Sequence, residues 1–127
     1  MLKDSTAFSS FSTDDLQKAQ EFYGETLGLE VTKEEMGVLT LHLAKGAQAM
    51  IYPKPNHTPA TFTVLNFVVD DIEQEVDGLI QKGVEFERYD NEYMKTDEKG
   101  IAGQGNGRSM AWFKDPAGNI IGLLQTK

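Results

Sequence analysis

Few side chains in this sequence are equipped for catalysis. There is no cysteine, hence no thiolate nucleophile, no thiolate metal ligand and no disulfide framework. Histidine occurs twice, at His42 and His57. His42 alternates with leucines in Leu39-Thr40-Leu41-His42-Leu43 and so lies on the face opposite theirs. As a base or ligand it would need a carboxylate or hydroxyl partner that the sequence does not name, and it reads as a polar structural or cavity-edge histidine. His57, in a proline-rich stretch, is expected to be exposed. The acids fall mostly in helix caps and on helix faces, and no carboxylate pair stands out for acid–base work.

Arg88, Tyr89, Tyr93, Arg108 and Trp112 flank the glycine-rich stretch Gly100-Ile101-Ala102-Gly103-Gln104-Gly105-Asn106-Gly107. They read as ordinary strand and surface residues. The sharper alternative is an aromatic and cationic rim that stacks on a ligand or fixes an anionic group. The glycines are not followed by Gly-Lys-Ser/Thr, so they do not form a phosphate cradle. They fit a mobile loop, whose functional form would be a lid.

The elements that must position these residues come as a repeat. Thr13-Asp14-Asp15-Leu16 and Val69-Asp70-Asp71-Ile72 each follow an extended stretch and open a helical one. Asp14 with Gln17, and Asp70 with Glu73, have capping-box spacing with an acid in place of Ser/Thr. Leu16, Ala19, Tyr23 and Leu27 recur at helical spacing, as do Ile72, Val76, Leu79 and Ile80. Gly28 and Gly83 suit the helix ends.

Alternation and turns predict strands at 7–12, 29–35, 38–44 and 47–53, then at 63–69, 84–90, 109–114 and 119–125. The last two are joined by Asp115-Pro116-Ala117-Gly118-Asn119. The order is βαβββ twice, an α+β chain with helices on one face of antiparallel sheet. A single domain over 1–127 is expected, with module one at about 5–53, a proline-rich linker at about 54–60 and module two at about 61–127.

Phe22-Tyr23 with Leu27-Gly28-Leu29 after a capped helix, and Lys114-Asp115-Pro116-Ala117-Gly118-Asn119 before the last strand, resemble the vicinal-oxygen-chelate superfamily. This is the glyoxalase/bleomycin-resistance/dioxygenase group, and the resemblance spans nearly the whole chain. It implies two modules whose mostly antiparallel sheet curls around a shared cavity, paired within a chain or across a dimer. In the group's enzymes a residue from the first and the last strand of each module holds a divalent metal, which acts as a Lewis acid on the substrate.

Carried over by counting from the helix-opening acids Asp15 and Asp71, the first-strand positions are Phe8 and Val64. Counted from the turn glycines Gly46 and Gly118, the last-strand positions are Met50 and Gly122. None offers an oxygen, nitrogen or thiolate to a hard or borderline cation, and one thioether is not a site. No metal and no cofactor is expected. Strand parity puts Ser10, Ser12, Asn66 and Val68 on the face of Phe8 and Val64, with Ile120 and Leu124 beside Gly122 and Tyr52 beside Met50. The expected ligand-binding set is Phe8, Ser10, His42, Met50, Tyr52, Val64, Asn66, Trp112 and Gly122. It forms an apolar and aromatic wall with a few polar contacts.

Composition limits the partners. Twenty acidic against twelve basic residues give a net charge of −8, the wrong sign for neutralising phosphates, so nucleic acid is not expected. An apolar fraction of 39% and a charged fraction of 25% are those of a globular domain. No apolar run reaches bilayer length, so no membrane partner is expected. Met1-Leu2-Lys3-Asp4-Ser5 lacks the apolar core of a signal peptide, and a cytoplasmic address is expected. The expected function is metal-free binding of a small, partly apolar or aromatic molecule by a homodimer. The alternatives are a glyoxalase-like lyase/isomerase or extradiol-type dioxygenase with non-standard ligands, and a protein-interaction module.

Overall fold

The computed structural model describes residues 1–103 and 107–126. They fall into two compact units, the first Met1–Thr58 and the second beginning at Pro59. Unit one contains β1 (Ser9–Thr13), α1 (Leu16–Glu21), β2 (Glu30–Lys33), β3 (Leu39–His42) and β4 (Gln48–Pro53). Unit two contains β5 (Thr63–Val68), α2 (Ile72–Gln81), β6 (Ser109–Lys114) and β7 (Ile120–Gln125). The sheets run β1-β4-β3-β2 and β5-β7-β6. Each pairs its first and last strands in parallel, and the remaining pairs are antiparallel. This is the expected α+β arrangement of two related modules.

Both helices start by one mechanism, one residue later than the sequence suggests. The caps are Asp15 and Asp71, at φ −147°, ψ 97° and φ −137°, ψ 96°. In that extended conformation each carboxylate reaches forward and accepts from the third helical amide, Lys18 N–H at 3.1 Å and Gln74 N–H at 3.2 Å. Asp14 and Asp70 lie outside the helices and stay exposed. Gln125 Oε1, from the end of β7, accepts from the Ile72 N–H at 2.8 Å and satisfies one more open donor of α2. α1 is short because its chain widens into a π-helical turn over Phe22–Thr26. That turn sets Phe22 and Tyr23 edge to face, with ring centroids 5.3 Å apart.

The register extends the repeat into the sheets. Ser10 stands opposite Met50, and Asn66 opposite Gly122. The step from Asp15 to Asp71 also takes Ser10 to Asn66. The glycines used to align β4 with β7 have the same left-handed backbone, Gly46 at φ 80° and Gly118 at φ 86°.

Helix-side cores follow from strand parity. In unit one Leu39, Leu41, Ala49 and Ile51 are fully buried with Ala19 and Tyr23 of the helical stripe. Phe11 joins them, its ring 6.2 Å from that of Tyr23. In unit two α2 packs on β6 and β7, where Ile72 and Val76 are buried along with Ala111, Phe113, Ile121 and Leu123. The turn before β7 is clasped by Asp115, which is only 5% exposed. Its carboxylate accepts from the N–H groups of Ala117 and Asn119 at 2.9 and 2.8 Å and from Asn119 Nδ2 at 3.0 Å.

One expected strand is absent. Residues 84–90 form no ladder; Phe86 makes an isolated bridge to Phe113 and the Glu87 N–H bonds to the Trp112 carbonyl at 2.8 Å. The outer edge of β6 is already shared, because Ala102 pairs with Met110 further along it. Two short contacts therefore replace one full strand. The expected mobile loop or lid spans residues 100–107. Gln104, Gly105 and Asn106 lie outside the described residues, but Gly100 is buried, and a β-carbon there would stand 2.9 Å from the Glu87 carbonyl oxygen and from Phe86 Cβ. This glycine serves a close backbone approach.

Candidate functional site

Each sheet has a second face, opposite its helix, and the two faces differ chemically. In unit one this face is polar. The row across β1, β4, β3 and β2 reads Ser10, Met50, Thr40, Thr32. Diagonal hydrogen bonds tie it to the neighbouring rows: Thr40 Oγ1 donates to Glu34 Oε2 at 2.9 Å, and Thr32 Oγ1 pairs with His42 Nε2 at 2.7 Å. The hydroxyl partner that His42 requires is therefore Thr32, invisible in sequence because it depends on the β2–β3 register. His57 is half-buried instead of exposed, since its Nδ1 lies 2.6 Å from Ser12 Oγ. In both pairs the imidazole tautomer decides which atom donates. Tyr52, opposite Ser12, is 39% exposed, and Phe8, just ahead of β1, is 59% exposed.

In unit two the corresponding row is Asn66, Gly122, Trp112. Beside it lies a pocket of about 200 Å³ lined by Thr61, Phe62, Thr63, Tyr89, Met94, Trp112 and Ile120. No charged side chain contributes. The Tyr89 and Trp112 rings meet edge to face, with centroids 5.5 Å apart and planes at 80°. Val64 does not line this pocket. The β5–β7 register shifts between Thr63 and Leu65, so Thr63 stands opposite Ile120 and Leu65 opposite Ile121. Val64 is the extra residue of that bulge, and Thr63 lines the pocket beside Ile120.

Tyr89 and Met94 are held by a small hairpin. The Asn91 N–H bonds to the Met94 carbonyl and the Thr96 N–H to the Tyr89 carbonyl, both at 2.9 Å. Asn91 Oδ1 accepts from the N–H groups of Tyr93 and Met94 at 2.8 and 2.9 Å, an Asx turn. Bridges from Thr96 to Ala102 and from Ala102 to Met110 tie this hairpin to β6. Arg88 faces elsewhere, into a groove with Glu85, Glu87, Glu98 and Lys99. Arg88, one of the two cations of the expected rim, is therefore separated from its aromatics.

Of the expected set, Phe8, Ser10, His42, Met50 and Tyr52 belong to unit one, and Val64, Asn66, Trp112 and Gly122 to unit two. Thr61, Phe62, Thr63 and Met94 line the pocket without having stood out in the sequence. The bulge leaves no compositional mark, whereas Asn91 was a visible turn former that could have pointed to Met94.

The four positions expected by counting to match the superfamily's metal ligands do not fit a metal. Phe8, Met50, Val64 and Gly122 provide one thioether and no oxygen or nitrogen side-chain donor. Among the described residues no three His, Asp or Glu side chains converge as a ligand group.

Two related modules, each pairing its first and last strands in parallel, define a class of paired-module α+β folds. Residues 7–123 match the Glyoxalase/Bleomycin resistance protein/Dioxygenase superfamily, and the chain belongs to it. No curated protein matches the chain. Among solved structures it is similar to TnmS3, an antibiotic binding protein from Streptomyces sp. CB03234, at 22% identity and TM-score 0.69, covering 100% of this chain and 99% of that one. A glyoxalase/bleomycin resistance protein from the same strain is 25% identical at TM-score 0.65, over 94% and 98% of the two chains. A superfamily member from Sphaerobacter thermophilus DSM 20745 is 21% identical at TM-score 0.69, over 98% and 99%. Among the described residues no helix is long and apolar enough to cross a membrane.

Proposed function

We propose that this protein binds a small, partly apolar or aromatic organic molecule without using a metal, as a cytoplasmic homodimer. The carrying observation is the uncharged aromatic pocket around Trp112, on the face that in this superfamily serves ligands. The donor-free residues at the four metal positions support a binding role over Lewis-acid catalysis. The fold of an antibiotic binding protein is consonant with it.

A thermal-shift and calorimetric screen of neutral and charged aromatic compounds tests the reading. A ligand at a hundred times its Kd adds about 2.7 kcal/mol to stability, so the melting temperature should rise by several degrees. Binding should persist after chelator treatment. A flat response across the panel, or binding that chelation abolishes, overturns the proposal. Light scattering on the same sample reads the oligomeric state.

A further inference from the structure

We infer that the pocket beside Trp112 is a subsite for the uncharged aromatic head of the ligand, and that the Asn66 amide reads a polar substituent on its edge. This rests on the proposed ligand-binding function and specifies the chemistry of that site.

The shape comes from Gly122. A β-carbon there would overlap Asn66 Oδ1 and stand 3.2 Å from the Thr63 methyl. The missing side chain makes room for the Asn66 amide, which lies over Gly122 in the Asn66–Gly122–Trp112 row, close to the Thr63 methyl, and Thr63 and Trp112 both line the pocket. Among the described residues the Asn66 side chain makes no hydrogen bond, and the residue is exposed. Its carbonyl and amino groups are both available to a ligand.

The size comes from the hairpin. Met94 and Tyr89 form one wall and are pinned by the Asx turn and the two ladder bonds, so that wall is set by the fold. A cavity of roughly 150 Å³ holds a benzene ring, so a pocket of about 200 Å³ takes one ring or a small fused pair. Larger parts of a ligand must lie outside it. Polarity is set by what is missing: the chain carries −8 overall, yet Arg88 is turned into another groove and no acid or base reaches the pocket. An ionised head group would find no counter-charge among the lining residues.

Naphthalene, 2-naphthol and 2-naphthoate separate these claims. Calorimetry should rank 2-naphthol above naphthalene by about three- to tenfold, the return on one hydrogen bond, with 2-naphthoate weakest. The indole N–H resonance of Trp112, the single tryptophan, should shift on binding. Asn66→Leu should remove the advantage of 2-naphthol and leave naphthalene unchanged; Gly122→Ala, which displaces the amide, should do the same. The subsite is overturned if 2-naphthoate binds tightest, if Asn66→Leu weakens all three equally, or if heat is released with no change at Trp112. That last result leaves ligand binding intact at another place, whereas no heat from any aromatic compound overturns the binding function itself.

Discussion

The two modules are alike where they touch their helices and unlike on the other side. Asp15 and Asp71 cap in the same way, and leucines, isoleucines and aromatics fill both helix-side cores. On the opposite face unit one presents Ser10 and two hydrogen-bonded pairs, Thr32 with His42 and Thr40 with Glu34. Unit two presents Trp112, Tyr89, Phe62 and Met94 around an uncharged pocket. The contrast shows that the repeat fixes the scaffold and leaves the opposite face free to diverge, even where Thr40 and Trp112 are buried in it. One residue step along a strand separates a position constrained by packing from one available for recognition.

Removing a ring from each core tests the shared half of this contrast. Tyr23→Ala and Phe113→Ala should each cost about 3–5 kcal/mol in urea unfolding, the usual range for an aromatic deleted from a packed interior. Replacements on the opposite faces, such as Asn66→Leu, should cost far less. A large loss from the open face, or tolerance in one core alone, would break the comparison.

The caps give a smaller and more symmetrical effect. Asp15→Ala and Asp71→Ala should each lower stability by about 1 kcal/mol, measured the same way. Unequal losses would mean that the matching backbone angles hide different roles. Gln125, which supplements only the second cap, is the first place to look.

The smallest effect sharpens the difference. Unit two carries the ion pairs Lys99–Asp77 at 3.0 Å and Lys114–Glu87 at 3.6 Å. The hydrogen bond and charge of Asp77 raise the pKa of Lys99 above its ordinary value. A raised lysine contributes stability fully below its unfolded pKa, near 10.4, and loses it as pH climbs through the raised value. Lys99→Met should therefore flatten a shallow fall in stability above about pH 10 and change little at neutral pH, because the pair lies in solvent.

How far these features were legible follows from their range. Helix starts, turn glycines and the repeat are local, and each could be read to within a residue. The caps moved from Asp14 and Asp70 to Asp15 and Asp71 because two adjacent acids offer the same composition, and only backbone angles choose between them. The partners of His42 and His57 and the placement of Val64 at a bulge depend on register, which composition does not carry. The strand expected at 84–90 failed for a tertiary reason, since Ala102 competes for the edge of β6. Of the pocket lining, Trp112 and Tyr89 stood out beside the glycine-rich stretch and Ile120 came from parity, while Thr61, Phe62, Thr63 and Met94 carried no comparable local mark.

The Asp115 clasp bears on the order in which unit two can assemble. β7 is its central strand and must pair on both sides. With β6 it needs only the turn from Asp115 to Asn119, which the buried carboxylate closes with three hydrogen bonds. With β5 it must wait for a loop containing α2, the Tyr89–Thr96 hairpin and β6 itself. Loop-closure entropy grows with the length enclosed, and contacts distant in sequence form slowly. The β6–β7 hairpin is thus the natural nucleus. Loosening its turn should slow folding, while loosening the β5 edge should chiefly speed unfolding.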